Sequence, residues 1–318
     1  MTATEDFVKQ ADGYRRELLA HCYRMIGSVQ DAEDAVQDTY LRAWSSFDRF
    51  EGRSSLRTWL YKIATNTCLT ALERNSRRPL PSMLAPPSDE ISPPLSAPKL
   101  ETPWLQPLPD ALVAPDPASV VVSRDSVRLA FVAALQHLPA RQRAVLILRD
   151  VLAWPAAEVA DLLDTTTASV TSALQRARAQ LAEVMPAEDE TVEPSDVERR
   201  ALLTRYVTAL QDGDMAGLVA LLRADVELEM PPIPTWFAGR ANVSGFLKVR
   251  CLDTPSTWRY RETAANGQAA VALYRNDDDG AYLAHNVQVL TLVGGQIARI
   301  VAFRNPALFD LFDLPAEA

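Results

Sequence analysis

Twelve prolines stand between Pro79 and Pro117, more than half of the 22 in this chain of 318 residues. Each removes a backbone donor and disfavours helix at the residue before it, so neither a helix nor a central strand can run through the stretch. The chain must fold on either side of it, and the segment itself reads as a long, semi-extended linker. A second break falls at residues 185–195, where Pro186, Pro194 and the acidic run Glu188-Asp189-Glu190 interrupt the pattern. The expected organisation is a unit at 1–78, a linker at 79–123, a unit at 124–184, an acidic linker at 185–195 and a last domain at 196–318.

Lys and Arg number 32 against 41 Asp and Glu, a net charge of −9 that excludes a uniformly basic DNA-coating protein. The total conceals a patchwork: residues 1–48 are net −4, residues 49–80 net +5 and residues 185–318 net −7. Separate surfaces for separate partners are expected. No apolar run approaches the roughly 18 residues of a membrane span, and Met1-Thr-Ala-Thr-Glu-Asp lacks the features of a signal peptide. Cys22, Cys68 and Cys251 lie far apart with no C-x-x-C, so neither a disulfide framework nor a zinc site is expected. A reducing cytoplasm is the simplest compartment.

Before the linker the pattern is helical. Ser28-Val-Gln-Asp31 reads as a capping box with Asp in place of Glu. It opens a segment in which Ala32, Ala35, Val36, Tyr40 and Ala43 recur at helical spacing. Asp31, Asp34, Gln37, Asp38 and Arg42 are left outside, either as a solvated face or as a docking face for a basic partner. A second helix is expected at Leu56–Leu72. In Phe50–Asn66, aromatic and basic residues interleave behind a Gly- and Ser-containing loop. Cations hold phosphates and aromatic faces stack on unpaired bases, so the stretch suits single-stranded DNA. Leu60 and Ile63 read as core; Trp59 and Tyr61 fit either core or stacking.

Between the linkers, helices are expected at Val127–Leu138, Ala140–Val151, Ala156–Leu163 and Ala168–Val184. The last two, joined by Asp164-Thr-Thr-Thr167, form a helix-turn-helix pattern. Val170, Ala173, Leu174, Ala177 and Leu181 make a buried stripe, leaving Ser169, Thr171, Ser172, Gln175, Arg176 and Arg178 for base edges and phosphates.

Asp31–Trp44, Phe50–Asn66 and Leu138–Leu181, in this order and spacing, resemble the bacterial sigma-70 family of extracytoplasmic-function type, over about residues 7–184. The resemblance implies that Asp31, Asp34, Gln37 and Asp38 bind the clamp helices of the RNA polymerase β′ subunit. It implies that Gly52, Arg53, Ser54, Ser55, Trp59, Tyr61, Lys62 and Asn66 melt and read the promoter −10 element. Ser169, Thr171, Ser172, Gln175, Arg176 and Arg178 would read the −35 element, in a region that also touches the β flap. Asp164 departs from the family, which commonly has Gly in the turn, and the linker is longer than in minimal members.

After the second break, Ser195-Asp-Val-Glu198 is a capping box, and helices are expected at Val197–Leu210 and Met215–Leu222. Val226–Met230 alternates with period two, and Asn266-Gly267, Asp279-Gly280 and Gly294-Gly295 are hairpin turns, so helices precede an antiparallel sheet. Element order and the stretch Met230–Arg240 resemble the SnoaL-like polyketide-cyclase fold. The resemblance implies a cone, in which a curved antiparallel sheet and helices surround an apolar pocket. The fold class expected is therefore multidomain: two all-α sigma regions followed by an α+β cone. The expected function is an alternative sigma factor regulated in cis by its cone. The competing readings are an isomerase or cyclase with a DNA-binding front end, and a ligand-sensing helix-turn-helix regulator.

An enzyme would need a base in the cone. Glu227 and Glu229 face away from Val226, Leu228 and Met230, while His285 shares a strand face with Val287 and Val289 and is either a core residue or turned to the pocket. Trp236, Phe237, Tyr274 and Phe303 either line a pocket or pack the core. No Ser-His-Asp set, P-loop or metal cluster is visible, so no catalytic residue, metal or cofactor is assigned. The closing segment Asn305–Leu314 reads as a helix that is either a lid on the cone or a tether to the sigma regions. An anti-sigma partner and a small ligand of the cone are left open.

Overall fold

The computed structural model describes residues 10–50, 52, 54–74, 77–92, 95–113, 124–185, 195–252, 257–277 and 279–318. Two compact units emerge, one from residues 1–78 with 110–187, the other from 79–109 with 188–318.

The first unit is helical. Helices α1 (Arg15–Ile26), α2 (Val29–Ser46) and α3 (Leu56–Arg74) pack around Leu18, Tyr23, Met25, Val36, Leu60 and Cys68, all buried. Gly27, at φ 79°, ends α1, and the Ser28 hydroxyl accepts the Asp31 N–H at 3.2 Å to start α2. A left-handed residue followed at once by an N-cap turns the chain back in two residues. Helices α4 (Leu129–Leu135), α5 (Ala140–Leu146), α6 (Ala156–Leu162) and α7 (Thr167–Val184) follow, with a π-type turn at Ile147–Val151 extending α5.

Two buried arginines knit these helices together. Arg24 donates to the Ser126 carbonyl and hydroxyl at 3.1 Å each. Arg143 donates to Gln136 Oε1 at 3.0 Å, to the Leu138 carbonyl at 3.1 Å and to the Met25 carbonyl. Burial lowers both guanidinium pKa values to about 10, which still leaves them charged at neutral pH. A buried cation without partners would be strongly destabilising, so these carbonyls fix where the chain around Ser126 and Leu138 must lie.

The second unit is built on a six-stranded sheet, β1 (Leu222–Met230), β2 (Ile233–Ala238), β3 (Trp258–Ala265), β4 (Gln268–Asn276), β5 (Tyr282–Val293) and β6 (Gln296–Phe303), ordered β2-β1-β6-β5-β4-β3. All pairs are antiparallel except β1–β6, which is parallel, so the sheet is mixed. Asn266 and Gly267 have φ 58° and 69°, Gly294 and Gly295 57° and 74°, the left-handed pairs that tight hairpins require. Helices α8 (Asp196–Asp212), α9 (Met215–Leu221) and α10 (Arg240–Leu247) supply Tyr206, Leu210, Leu218, Val243 and Phe246 to a core shared with Leu228, Leu273, Leu290 and Ile300. The Ser195–Glu198 capping box opens α8 with both reciprocal bonds formed.

The described residues of 79–109 carry little regular structure beyond a 3-10 turn at Pro81–Met83, as their prolines dictate, but they are not a free connector. They form a strap bound to the sheet. Glu229 Oε2 accepts the Ser82 N–H at 2.8 Å, the Trp236 indole donates to the Ala85 carbonyl at 2.7 Å, and Ser88 N–H donates to the Trp236 carbonyl at 2.8 Å. Further along, Lys99 N–H reaches the Pro232 carbonyl at 2.9 Å, while Leu108 and Asn266 exchange two bonds of 2.8 and 2.9 Å. Ile91 and Leu95 pack against the core. The short closing helix α11 (Leu308–Leu311) lies on its own sheet, with Phe309 edge-on to Tyr274 at 5.0 Å. The acidic run at 188–190 lies outside the described residues.

Candidate functional site

Helix α2 carries the acidic docking residues. Asp34, Gln37 and Asp38 are exposed, whereas Asp31 is half-buried and paired with Arg78. Asp31 is therefore engaged within the unit, though its side chain keeps 41 % exposure. Leu41 and Trp44, 60 % and 55 % exposed, continue the row of Asp34, Gln37 and Asp38 at helical spacing. An acidic patch next to two large exposed apolar side chains has the chemistry expected of a protein-docking surface. The sequence reading missed both; the signal was Leu41 and Trp44 falling on the polar side of an otherwise amphipathic helix.

At the start of α3, Gly52 (φ 68°), Ser54 and Ser55 are exposed, and Ser55 Oγ accepts the Thr58 N–H at 3.0 Å as the helix cap. Arg53 lies outside the described residues. Trp59 is half-buried, its ring 4.8 Å from Phe50. Asn66 is also half-buried. Tyr61 is fully buried, against the stacking role expected of it. Its hydroxyl donates to Glu17 at 3.2 Å, Arg57 lies over its ring, and His21 and Trp154 flank it at 5.0 and 5.3 Å. The reason is position: Tyr61 falls on the same side of α3 as Leu60 and Ala64, facing α1. Lys62 donates to the Asp161 carbonyl at 3.0 Å and sits 3.5 Å from Asp164 Oδ1, so the end of α6 engages its ammonium at the surface.

The turn between α6 and α7 needs a left-handed residue, and Asp164 supplies it at φ 48°. Aspartate tolerates this region better than most residues, so Asp can stand where glycine is usual. Thr166 then caps α7, accepting the Ser169 N–H at 3.1 Å. Ser169, Thr171, Ser172, Gln175, Arg176 and Arg178 are all exposed on α7, while Val170, Leu174 and Ala177 are buried. Arg178 is engaged by Asp150 through two bonds of 2.7 and 2.8 Å, which raise its pKa further.

The second unit holds a cavity of about 110 Å³ lined by Leu95, Leu228, Met230, Phe246, Trp258 and Leu273 on its apolar part and by arginines, His285, Asn286 and Gln288 elsewhere. Of Trp236, Phe237, Tyr274, His285 and Phe303, the candidates to line a pocket, only His285 lines this one. Trp236 pairs across from Glu229 on the strap side, and Phe303 pairs with Val287, whereas the cavity is reached from Leu228 and Gln288. Phe237 is packed on Phe246 at 4.7 Å within the core. Strict alternation would put His285 with Val287 and Val289, away from the cavity. A bulge changes this: Leu273 pairs with Asn286 but Tyr274 with Ala284, so His285 is the extra residue and both His285 and Asn286 line the cavity. Burial, with Arg304 and Arg275 nearby, lowers the His285 pKa to about 4, so the ring is neutral at physiological pH. Glu227 and Glu229 do not line the cavity; both lie close to Arg299, and Glu229 is buried beneath the strap.

Among the described residues, no group of three His, Cys, Asp or Glu side chains could hold a metal ion, and no helix is long and apolar enough to cross a membrane. Family models match three stretches: Sigma-70 region 2 at residues 11–78, Sigma-70 region 4 at 128–181 and a SnoaL-like domain at 203–300. The chain is 49 % identical over 313 residues to the ECF RNA polymerase sigma factor SigG of Mycobacterium tuberculosis, an alignment spanning 98 % of this chain and 84 % of the relative. SigJ of the same organism is 29 % identical over 69 % of this chain and 63 % of the relative. The crystal structure of M. tuberculosis SigJ superposes with a TM-score of 0.64 at 23 % identity, covering 97 % of this chain and 99 % of that one, and so shares the fold. The chain belongs to the ECF RNA polymerase sigma factors, as a member that carries a SnoaL-like C-terminal domain.

Proposed function

We propose that this sigma factor docks on core RNA polymerase through the Asp34–Trp44 face of α2, opens the −10 element at the Gly52–Ser55 loop with Trp59, Lys62 and Asn66, and reads the −35 element with α7. The observation that carries this is α7 itself. A left-handed turn at Asp164 and a Thr166 cap present Ser169, Thr171, Ser172, Gln175 and Arg176 together on one exposed side. Short polar side chains first, then Gln and Arg, fit base edges and phosphates in a major groove. Lys62 lies under the α6–α7 turn, so engagement of the −10 element requires that contact to open. The protein acts in the cytoplasm, where polymerase and promoters are.

The cone acts as a regulator in cis and performs no catalysis. Among the described residues no carboxylate lines its cavity, and the His285 imidazole there is held at about 4, too weak a base for proton abstraction at neutral pH. The test is in vitro transcription with purified core enzyme on a library of genomic fragments. Promoter-specific transcripts are expected only with the chain added. Absence of any specific product, with tight binding to duplex DNA alone, would make it an ordinary helix-turn-helix regulator.

A further inference from the structure

The cavity of the cone is polarised in a way the sigma role does not use. Leu95, Leu228, Phe246 and Trp258 give it an apolar part. Arg250, Arg275 and Arg304 reach it from three places, after α10, on β4 and on β6, and no Asp or Glu is among its lining residues. At about 110 Å³ it is comparable to the roughly 150 Å³ void that accepts benzene in an engineered core.

The polar corner can be worked out from hydrogen-bonding logic. The Asn286 amide lies 2.8 Å from His285 Nδ1, and the Arg304 guanidinium 3.3 Å from His285 Nε2. A guanidinium only donates, so Nε2 must accept, and the proton of the neutral ring sits on Nδ1. The Asn286 atom facing Nδ1 is then the amide oxygen, since the two ends of an amide are told apart by such networks. The amide –NH₂ is then the end of Asn286 turned away from His285, on a residue only 5 % exposed that lines the cavity. A buried donor calls for an acceptor.

We propose that the cone binds a small organic anion, a carboxylate carried on a flat apolar body of about one ring. Asn286 and Arg304 receive the carboxylate, Arg275 and Arg250 supply further positive charge, and Leu95 of the strap closes over the apolar end. Three guanidiniums and a buried N–H donor, with no Asp or Glu among the lining residues, favour an anion over a neutral or cationic ligand. The apolar half disfavours a strongly hydrated inorganic ion. The inference rests on reading the cone as a binding rather than a catalytic module.

The test uses the full chain and benzoate, with benzamide and benzylamine as near-isosteric neutral and cationic controls, read by calorimetry and ligand-detected NMR. Benzoate is expected to bind, with benzamide at least tenfold weaker and benzylamine undetectable. Arg275→Gln, at an exposed position, and Arg304→Gln should each weaken benzoate about tenfold or more while leaving the circular dichroism unchanged. Equal binding of benzoate and benzamide, no effect of either substitution, or no benzoate binding at millimolar concentration would overturn the ligand class. Chemical conversion of bound benzoate in the same NMR tubes would instead refute the non-catalytic reading while leaving the anion site in place.

Discussion

Tyr61 and Trp154 meet at 5.3 Å in the interior of the helical unit, one from the helix after the −10 loop and the other from the turn that leads into the helix-turn-helix. Trp154 is 5 % exposed and Tyr61 wholly buried. The pair joins the two DNA-reading regions through their cores, and this dictates how aromatic substitutions in this segment will divide.

Tyr61→Ala removes a buried ring and leaves Glu17 and Arg57 with a cavity beside them. Large-to-small changes of this kind cost about 3–5 kcal/mol. The variant is expected to lose stability and all transcription together, and Tyr61→Phe to lose only about 1 kcal/mol through the hydroxyl bond to Glu17. Trp59→Ala, at a half-buried site on Phe50, should keep core-polymerase binding and fold while reducing promoter opening. Chemical denaturation paired with permanganate footprinting separates the outcomes. A stable Tyr61→Ala protein with a selective opening defect would restore Tyr61 as a base-stacking residue.

Arg178 is the one cation of the α7 face held by an ion pair, with Asp150. In DNA binding the phosphate must compete with that carboxylate. Asp150→Asn removes the competitor and keeps the shape, so binding to −35 DNA should tighten by a few fold, with a salt dependence steeper by about one phosphate contact. Arg178→Ala should weaken binding uniformly across sequences, whereas Gln175→Ala and Arg176→Ala should relax discrimination at particular bases. Fluorescence anisotropy across a salt series reads all four. An unchanged salt slope in Asp150→Asn would mean that Arg178 never leaves its partner.

Glu229 is a buried carboxyl beneath the strap, its pKa raised above the ordinary glutamate range chiefly by burial, against the opposing effect of Arg299. Arg299, Glu227 and the Ser82 N–H are the groups that face it. Because the folded chain holds this proton more tightly than the unfolded one, its contribution is full below the unfolded pKa of roughly 4.3 and declines as pH rises through the raised folded value. Glu229→Gln, which can still accept from Ser82, should therefore flatten the difference in stability between mildly acidic and neutral pH and leave the neutral protein at least as stable. Urea unfolding of both proteins at two pH values measures it. A Gln variant that is less stable at neutral pH would show that the ion pair with Arg299 outweighs burial.

Helix positions, hairpin turns and the exposed residues of α7 were legible because each follows from local periodicity or from a turn residue with a defined φ, as at Asn266-Gly267. What was not legible depended on contacts distant in sequence. Tyr61 is placed by Glu17 and Trp154, and Trp236 by the Ala85 carbonyl. His285 reaches the cavity through a bulge that period-two reading cannot anticipate. The proline stretch concealed the strap because prolines fix an extended backbone without saying what it lies on. The apolar residues within it, Ile91, Leu95, Trp104 and Leu108, were the available signal, since a solvated linker has no use for them.

If the cone regulates in cis, as proposed, the strap offers a route by connectivity. Residues 79–109 are the larger part of the covalent link between the two DNA-reading regions, and 31 extended residues could span about 100 Å. Bound along the sheet by Ser82, Ala85, Ser88, Lys99 and Leu108, the link cannot reach that length. On the proposed reading Lys62 also leaves the α6–α7 turn when the −10 element is engaged, and shortening the link should then oppose that separation. Releasing the strap should therefore raise transcription from a promoter with both elements and have little effect where only one is present. Trp236→Phe deletes the indole bond to Ala85 and keeps most of the packing, a loss of about 1 kcal/mol, and Leu95→Ser removes an apolar anchor at the cavity. The two together should increase protease cleavage within residues 84–102 and increase open-complex formation at the two-element promoter in parallel. Cutting away residues 195–318 altogether is a poorer test, because it leaves the strap's apolar side chains without their sheet. Increased cleavage with unchanged or reduced promoter opening would show that the bound strap does not restrain the sigma regions.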